Sequence, residues 1–135
     1  MGTVVTIEVL DADAQSHIED AFHWFDAVES CCSKFRADSE LCALDTRPHV
    51  VSPMLFETLH FALQVAEQSH GAFDPTNGQL DAIRLDATSK TVTLTEQVVI
   101  DLGAIAKGLA VDLAAQSLRP HRNFAINAGG DLYLA

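Results

Sequence analysis

The spacing of apolar residues changes near the start of the chain and predicts a strand followed by a helix. Residues 4–10 alternate apolar and polar side chains, which is typical of a half-buried strand. From Ala14 onward the apolar residues recur every three or four positions, as they do in an amphipathic helix. The predicted buried stripe of this helix consists of Ile18, Ala21, Phe22, Phe25, Val28 and Cys32.

Two further helices are predicted from the residues at their ends. Ser52 followed by Pro53 is a strong helix start, because serine caps N–H groups and proline suits the first helical position. We expect this helix to end near Gly71, which can adopt the left-handed conformation of a C-cap. A third helix is predicted to begin at Gly103 and to stop at Pro120.

The remaining apolar runs are short and predict strands. They cover residues 91–95, 98–102, 124–127 and 132–135, the last two flanking a Gly-Gly bend. We therefore expect an α+β fold with a largely antiparallel sheet and helices packed on one face. Residues 1–135 are predicted to form a single domain. The last strand would leave an exposed edge, which favours a homo-oligomer.

Composition and charge exclude several classes of protein. The chain has 8 Lys or Arg and 19 Asp or Glu residues, an excess of negative charge that argues against nucleic acid as a partner. No apolar run approaches the length of a membrane span, and no export signal is recognisable at the N-terminus. Residues 1–67 hold 3 of the basic and 12 of the acidic residues, so an anionic ligand is expected against residues 68–135.

Two segments are candidates for binding chemistry. Residues 71–78 follow a predicted helix end and could present Phe73 and Asp74 to a flat ligand, although they also suit a plain C-cap and Asn-Gly turn. Residues 101–108 enter the third predicted helix, where N–H groups attract anions and Lys107 lies one turn further on. Asp101 could equally be a simple helix cap. With no recognisable nucleophile or histidine metal motif, no catalytic residue is predicted.

Taken together, five segments resemble the ApbE family of flavin transferases, which are FAD:protein FMN transferases. In the family's order they are MGT at 1–3, SKF with DSEL at 33–41, SHGAFDPTNGQL at 69–80, IDLGAIAKGLAVD at 100–112 and INAGGDLYLA at 126–135. The resemblance covers almost the whole chain. It implies an ApbE-like fold, with residues 1–135 similar to the N-terminal, T-fold-like FAD-binding portion.

The resemblance also implies site residues, position by position. Those similar to the family's FAD contacts are Met1, Phe35, Ala72, Phe73, Asp74, Asp101 and Lys107. Ala104 is similar to the residue whose backbone carbonyl helps to bind Mg²⁺. FAD would be the substrate, and Mg²⁺ would stabilise the charge that develops when the diphosphate bridge breaks.

The implied reaction is Mg²⁺-dependent transfer of FMN from FAD to a threonine or serine hydroxyl of an acceptor protein, with release of AMP. Family members are often periplasmic or lipid-anchored. The family normally continues beyond the Gly-Gly-Asp segment with a second half that completes the metal shell, and we expect that half to be missing here. The alternatives are a non-catalytic flavin- or nucleotide-binding module, a truncated fragment, and a FAD pyrophosphatase.

Overall fold

The computed structural model describes residues 2–135, which divide into two compact units. The first unit consists of residues 2–29 and 106–135, and the second of residues 30–105. Single turns of 3₁₀ helix lie at Leu41–Ala43 and Leu80–Ala82. The helices and strands are, in order, β1 (Val5–Val9), α1 (Gln15–Cys32), β2 (His49–Val50), α2 (Pro53–Gln68), β3 (Ile83–Asp86), β4 (Thr91–Leu94), α3 (Gly103–Ser117), β5 (Phe124–Ala128) and β6 (Asp131–Leu134).

The first unit contains an antiparallel sheet in the order β1-β5-β6. The predicted alternation of β1 is confirmed, with Val5, Ile7 and Val9 half-buried between exposed polar residues. Ile7 lies opposite Ile126, which is fully buried in β5. The core of this unit is completed by helical side chains of α1 and α3, among them Ala21, Val28, Ala110 and Ala114.

The second unit contains an antiparallel sheet in the order β2-β4-β3, together with helix α2. Its core consists of Leu55, Leu59, Val92, Leu94 and Leu102, each at most 2% exposed. Because strand side chains alternate between faces, the buried Val92 and Leu94 of β4 share the face of that sheet turned to the core.

Both predicted ends of α2 are confirmed. The Ser52 hydroxyl accepts a hydrogen bond from the Leu55 N–H at 3.2 Å and donates to Glu40 Oε2 at 2.7 Å, so the cap is itself held in place. At the other end Gly71 has a φ of 81° and donates its N–H to the Ala66 carbonyl. These two caps fix where the chain enters and leaves the helix.

The strand predicted at residues 98–102 is wrong, and β3 was missed. Val98, Ile100 and Leu102 are buried while Val99 is 73% exposed, so the alternation is real. The segment nevertheless lies outside both ladders, and the Asp101 N–H donates to the Pro75 carbonyl instead. Burial of every second residue indicates an extended backbone with one face packed against the protein. It does not require a hydrogen-bonded partner strand. The neighbours of β4 are β2 and β3, which both lie earlier in the sequence.

The expected fold class is confirmed, since helices pack against antiparallel sheets, although the strands form two sheets of three. The prediction that residues 1–135 form one domain stays a prediction. Within residues 2–135, no helix is long and apolar enough to cross a membrane.

Candidate functional site

A cavity of about 500 Å³ in the second unit brings together three of the segments identified in the sequence. Its walls come from the segment at 33–41, the loop after α2 and the extended segment before α3. The lining residues are Lys34, Asp74, Pro75, Thr76, Asn77, Gln79, Gln97, Val99 and Asp101. The predicted site residues Asp74 and Asp101 thus lie on one cavity.

Asp74 shapes the loop that carries it. Its Oδ1 accepts hydrogen bonds from the N–H and hydroxyl of Thr76 at 2.8 and 2.7 Å, and its Oδ2 accepts the Gly78 N–H. Asn77 and Gly78 both have positive φ, of 54° and 95°, as the tight turn requires. The Thr76 N–H, with the other donors of the loop, lowers the pKa of Asp74 below its ordinary value. The carboxylate is therefore ionised at neutral pH, and both of its oxygens accept hydrogen bonds from its own turn.

Asp101 joins the other two walls of the cavity. Its Oδ1 accepts the Gly103 N–H at 2.9 Å, at the start of α3, so the helix-cap alternative holds for this side chain. Its Oδ2 lies 2.5 Å from the Nζ of Lys34, and this ammonium group is the main cause of the lowered pKa of Asp101. The backbone N–H of Asp101 donates to Pro75 at 2.7 Å, which links the segment to the Asp74 loop.

Lys34 is a cavity residue that the sequence did not single out. Its ammonium group pairs with Asp101 and lies 4.9 Å from the centroid of the Phe35 ring. Phe35 itself is 87% exposed, an unusual position for an aromatic side chain. Lys34 stands in the quoted SKF segment, but its partner is 67 positions away, and no local pattern indicates that pairing.

In the first unit, two more of the sequence segments meet. The Nζ of Lys107 on α3 lies 3.4 Å from Oδ2 of Asp131 at the start of β6. Gly129 and Gly130 form the tight turn between β5 and β6, with φ of 58° and 102°. A Cβ added at Gly129 would lie 2.2 Å from the Thr3 hydroxyl oxygen, so the N-terminal segment packs directly on this turn.

The other predicted site residues lie beside these features without lining the described cavity. Ala72 is exposed and Phe73 half-buried, both in the loop after α2. Ala104 is exposed in the first turn of α3. Met1 lies outside the described residues.

Comparison with known proteins decides the family. The model of the ApbE family matches residues 1–91 and 79–135, which together span the chain. The chain belongs to the ApbE family. Its segments at 69–80 and 100–112 are therefore family segments, and the cavity of the second unit is built from them and from the segment at 33–41.

Several relatives of this ApbE-family chain are about twice its length. It is 28% identical to a FAD:protein FMN transferase from Treponema pallidum (strain Nichols), over 98% of the chain and 49% of that protein. The ApbE protein from Thermotoga maritima superposes with a TM-score of 0.86 at 22% identity, covering 98% of the chain and 55% of that structure. The flavin transferase ApbE from Vibrio cholerae gives 0.86 at 21% identity, with 99% and 56% covered. The chain thus spans about half the length of the relatives it matches.

The described residues of this ApbE-family chain do not assemble a metal shell. Nowhere in residues 2–135 do three His, Cys, Asp or Glu side chains lie together so that they could hold a metal ion. Mg²⁺ prefers six oxygen ligands, usually including one or two carboxylates. Asp74 and Asp101 are engaged in the contacts described above, and Ala104 offers one neutral carbonyl. The donor set within residues 2–135 therefore does not fit Mg²⁺.

Proposed function

We propose that this chain binds FAD and takes part in Mg²⁺-dependent transfer of FMN from FAD to a threonine or serine hydroxyl of an acceptor protein, with release of AMP. The observation that carries the proposal is membership of the ApbE family over the whole chain. The named activity of the Treponema pallidum relative, FAD:protein FMN transfer, supports it.

The cavity of the second unit has properties suited to part of a dinucleotide. Its volume of about 500 Å³ lies within the usual range for small-molecule sites. Besides Asp74 and Thr76, which bond to their own loop, it offers the Asp101 carboxylate, side-chain amides and an ammonium group as polar partners. Phe35, beside Lys34 and largely exposed, presents a ring face on which a flavin could stack. The full proposed contact set is Met1, Phe35, Ala72, Phe73, Asp74, Asp101 and Lys107.

In this proposal the backbone carbonyl of Ala104 is the one group of residues 2–135 assigned to Mg²⁺, and no described carboxylate is assigned to it. A metal ion on the diphosphate would supply electrostatic stabilisation of the leaving AMP. Because the described donor set does not fit Mg²⁺, we assign no catalytic residue. We expect FAD binding by this chain to be independent of Mg²⁺.

The second candidate is a flavin-binding module without transferase activity. It is favoured by the contacts of Asp101, whose carboxylate pairs with Lys34 and caps the start of α3. Among the described residues, the backbone carbonyl of Ala104 is then the one group left for a metal. Both candidates require FAD binding, and they differ in whether the diphosphate is broken. FAD hydrolysis to FMN and AMP is the third outcome that an assay has to separate.

We expect the purified chain to bind FAD and to transfer FMN poorly. The test combines calorimetry of FAD binding, with and without Mg²⁺, and mass spectrometry of an acceptor protein for an FMN adduct. Chromatography of AMP separates hydrolysis from transfer. Robust transfer by the chain alone would contradict the conclusion that its described donor set does not fit Mg²⁺, and absence of FAD binding would contradict the proposed function.

The place of the flavin can be tested with Phe35→Ala and a matched control, Phe61→Ala. If the exposed ring stacks on the flavin, its removal should weaken FAD binding by about 1–3 kcal/mol, as for other base–aromatic stacks. Phe61→Ala removes another exposed phenylalanine, 54% exposed on α2, and should leave FAD binding unchanged. Equal affinities of the two variants would place the flavin elsewhere.

We also propose that the chain self-associates through β6. This strand lies at one edge of its sheet, with Leu132 and Leu134 61% and 69% exposed. An unpaired edge with apolar side chains readily pairs with another strand, and a symmetric dimer would cover it. Light scattering at high concentration should give a dimer mass. A monomer of 14.6 kDa would reject self-association.

A further inference from the structure

The positive charge in the cavity of the second unit comes from Lys34. Of the lining residues that the structure describes, two are aspartates, and Lys34 is the single lysine or arginine. This differs from the expectation from charge distribution, which placed an anionic ligand against residues 68–135. An anion that enters this cavity meets an ammonium group from the acidic first half of the chain.

The two cavity carboxylates differ in their partners. Asp74 accepts three hydrogen bonds from its own loop, two from Thr76 and one from Gly78, so it is part of the wall. Asp101 uses one oxygen for the Gly103 N–H and the other for Lys34. Lys34 therefore has a contact that a ligand can replace without unfolding the Asp74 loop.

The Lys34–Asp101 pair is exposed enough to be exchanged. The two side chains are 30% and 51% exposed, and ion pairs in such positions contribute little to stability because water and salt screen them. A phosphate group offers several charged acceptor oxygens, and its bonds to an ammonium group are among the stronger hydrogen bonds in proteins. A phosphate group can therefore replace the Asp101 carboxylate as the partner of the Lys34 ammonium group.

We propose that Lys34 is a phosphate-binding residue of this cavity. Without a ligand its ammonium group pairs with Asp101. When a nucleotide diphosphate binds, the ammonium group donates to a phosphate oxygen instead. The identity of that nucleotide as FAD rests on the proposed function, whereas the phosphate contact rests on the cavity itself. The exchange breaks and forms only noncovalent contacts.

The competing role for Lys34 is to position Asp101. In that case Lys34 would not touch the ligand and would act only by holding the carboxylate of Asp101, itself a proposed FAD contact, in place. The two roles separate in the Asp101→Asn background. A direct phosphate contact predicts that Lys34→Gln weakens binding there by at least the same factor as in the wild type, because the carboxylate that competes for the ammonium group is gone. A positioning role predicts that the effect of Lys34→Gln disappears.

The test is calorimetric titration of the full chain with FAD, riboflavin and inorganic pyrophosphate at fixed salt. Lys34→Gln should weaken FAD and pyrophosphate binding by about 5- to 50-fold, the scale of one charge-assisted hydrogen bond, and leave riboflavin binding within about twofold. Lys34→Arg should retain most of the affinity. Lys90→Gln is the matched control, because Lys90 also pairs with a carboxylate, Glu57 at 2.9 Å, and lies over a ring, Phe56 at 4.5 Å, without lining the cavity.

Three results with the variants would overturn the proposal. They are unchanged pyrophosphate and FAD binding in Lys34→Gln, an equal loss for riboflavin and FAD, and a loss that vanishes in the Asp101→Asn background. Wild-type protein that binds none of the phosphate-bearing probes would also overturn it. Pyrophosphate binding that depends on Lys34, without FAD binding, would uphold the phosphate contact and contradict the proposed function.

Discussion

Replacing Gly129 by alanine is expected to lower the free energy of unfolding by about 2–5 kcal/mol, the sum of an overpacking strain and a left-handed backbone penalty. The added Cβ would lie 2.2 Å from Oγ1 and 3.0 Å from Cγ2 of Thr3, and the φ of 58° disfavours any side chain. Rotation of the Thr3 side chain cannot remove the contact completely, because its Cβ is also only 3.2 Å away. Urea unfolding of the variant measures the loss.

Two further variants separate the causes of this loss. Gly108→Ala introduces the same methyl group inside α3, where nothing lies within 4 Å, and should stabilise the protein by about 0.5–1 kcal/mol. Thr3→Ala combined with Gly129→Ala should recover the part of the overpacking that is due to Oγ1 and Cγ2 of Thr3, and leave the backbone penalty and the contact with the Cβ of residue 3. A Gly129→Ala protein as stable as wild type would contradict both the packing of Thr3 on the β5–β6 turn and the positive φ of Gly129.

Lys107→Ala is expected to weaken FAD binding by about 1–3 kcal/mol, which is about 5- to 150-fold. Lys107 lies one turn into α3 and matches a FAD contact in the family resemblance. In the free protein its ammonium group is 3.4 Å from Asp131, and both side chains are partly exposed, so the pair adds little stability. Calorimetry with FAD should therefore show a loss of affinity while the melting temperature stays nearly constant.

Asp131→Asn is the control for Lys107. It removes the carboxylate that competes for the ammonium group and should leave FAD affinity equal or slightly higher. Equal affinity of wild type and Lys107→Ala would remove Lys107 from the proposed contacts. A similar loss in both variants would mean that the ion pair, and with it the start of β6, is what matters.

The parts of the fold that followed from the sequence are those with local causes. Ser52 and Pro53 predicted the start of α2 because both act on its first turn. Gly71 predicted its end because it acts on the last turn. β1 followed from alternation, since one face of it is half-buried. The segment at 98–102 has the same alternation and no strand partner, and pairing is a long-range property that the pattern does not contain.

The site divides in the same way. Asp74 and Asp101 were found because each stands in a segment whose spacing is recognisable, and both line one cavity. Lys34 was missed because its partner Asp101 is distant in the sequence and because the first half of the chain is acidic overall. Net charge over 67 residues says nothing about which side chain faces a given cavity.

Amide resonances of the isotope-labelled chain show whether FAD binds at the cavity lined by Lys34, Asp74 and Asp101. If FAD binds there, its addition should produce saturable shifts of the amide resonances of Gly78 and Gly103, whose N–H groups donate to Asp74 and Asp101. The Thr88 amide, which donates to Asp86 in the β3–β4 turn, should not move. Unchanged resonances of Gly78 and Gly103 under saturating FAD would show that FAD does not bind at this cavity.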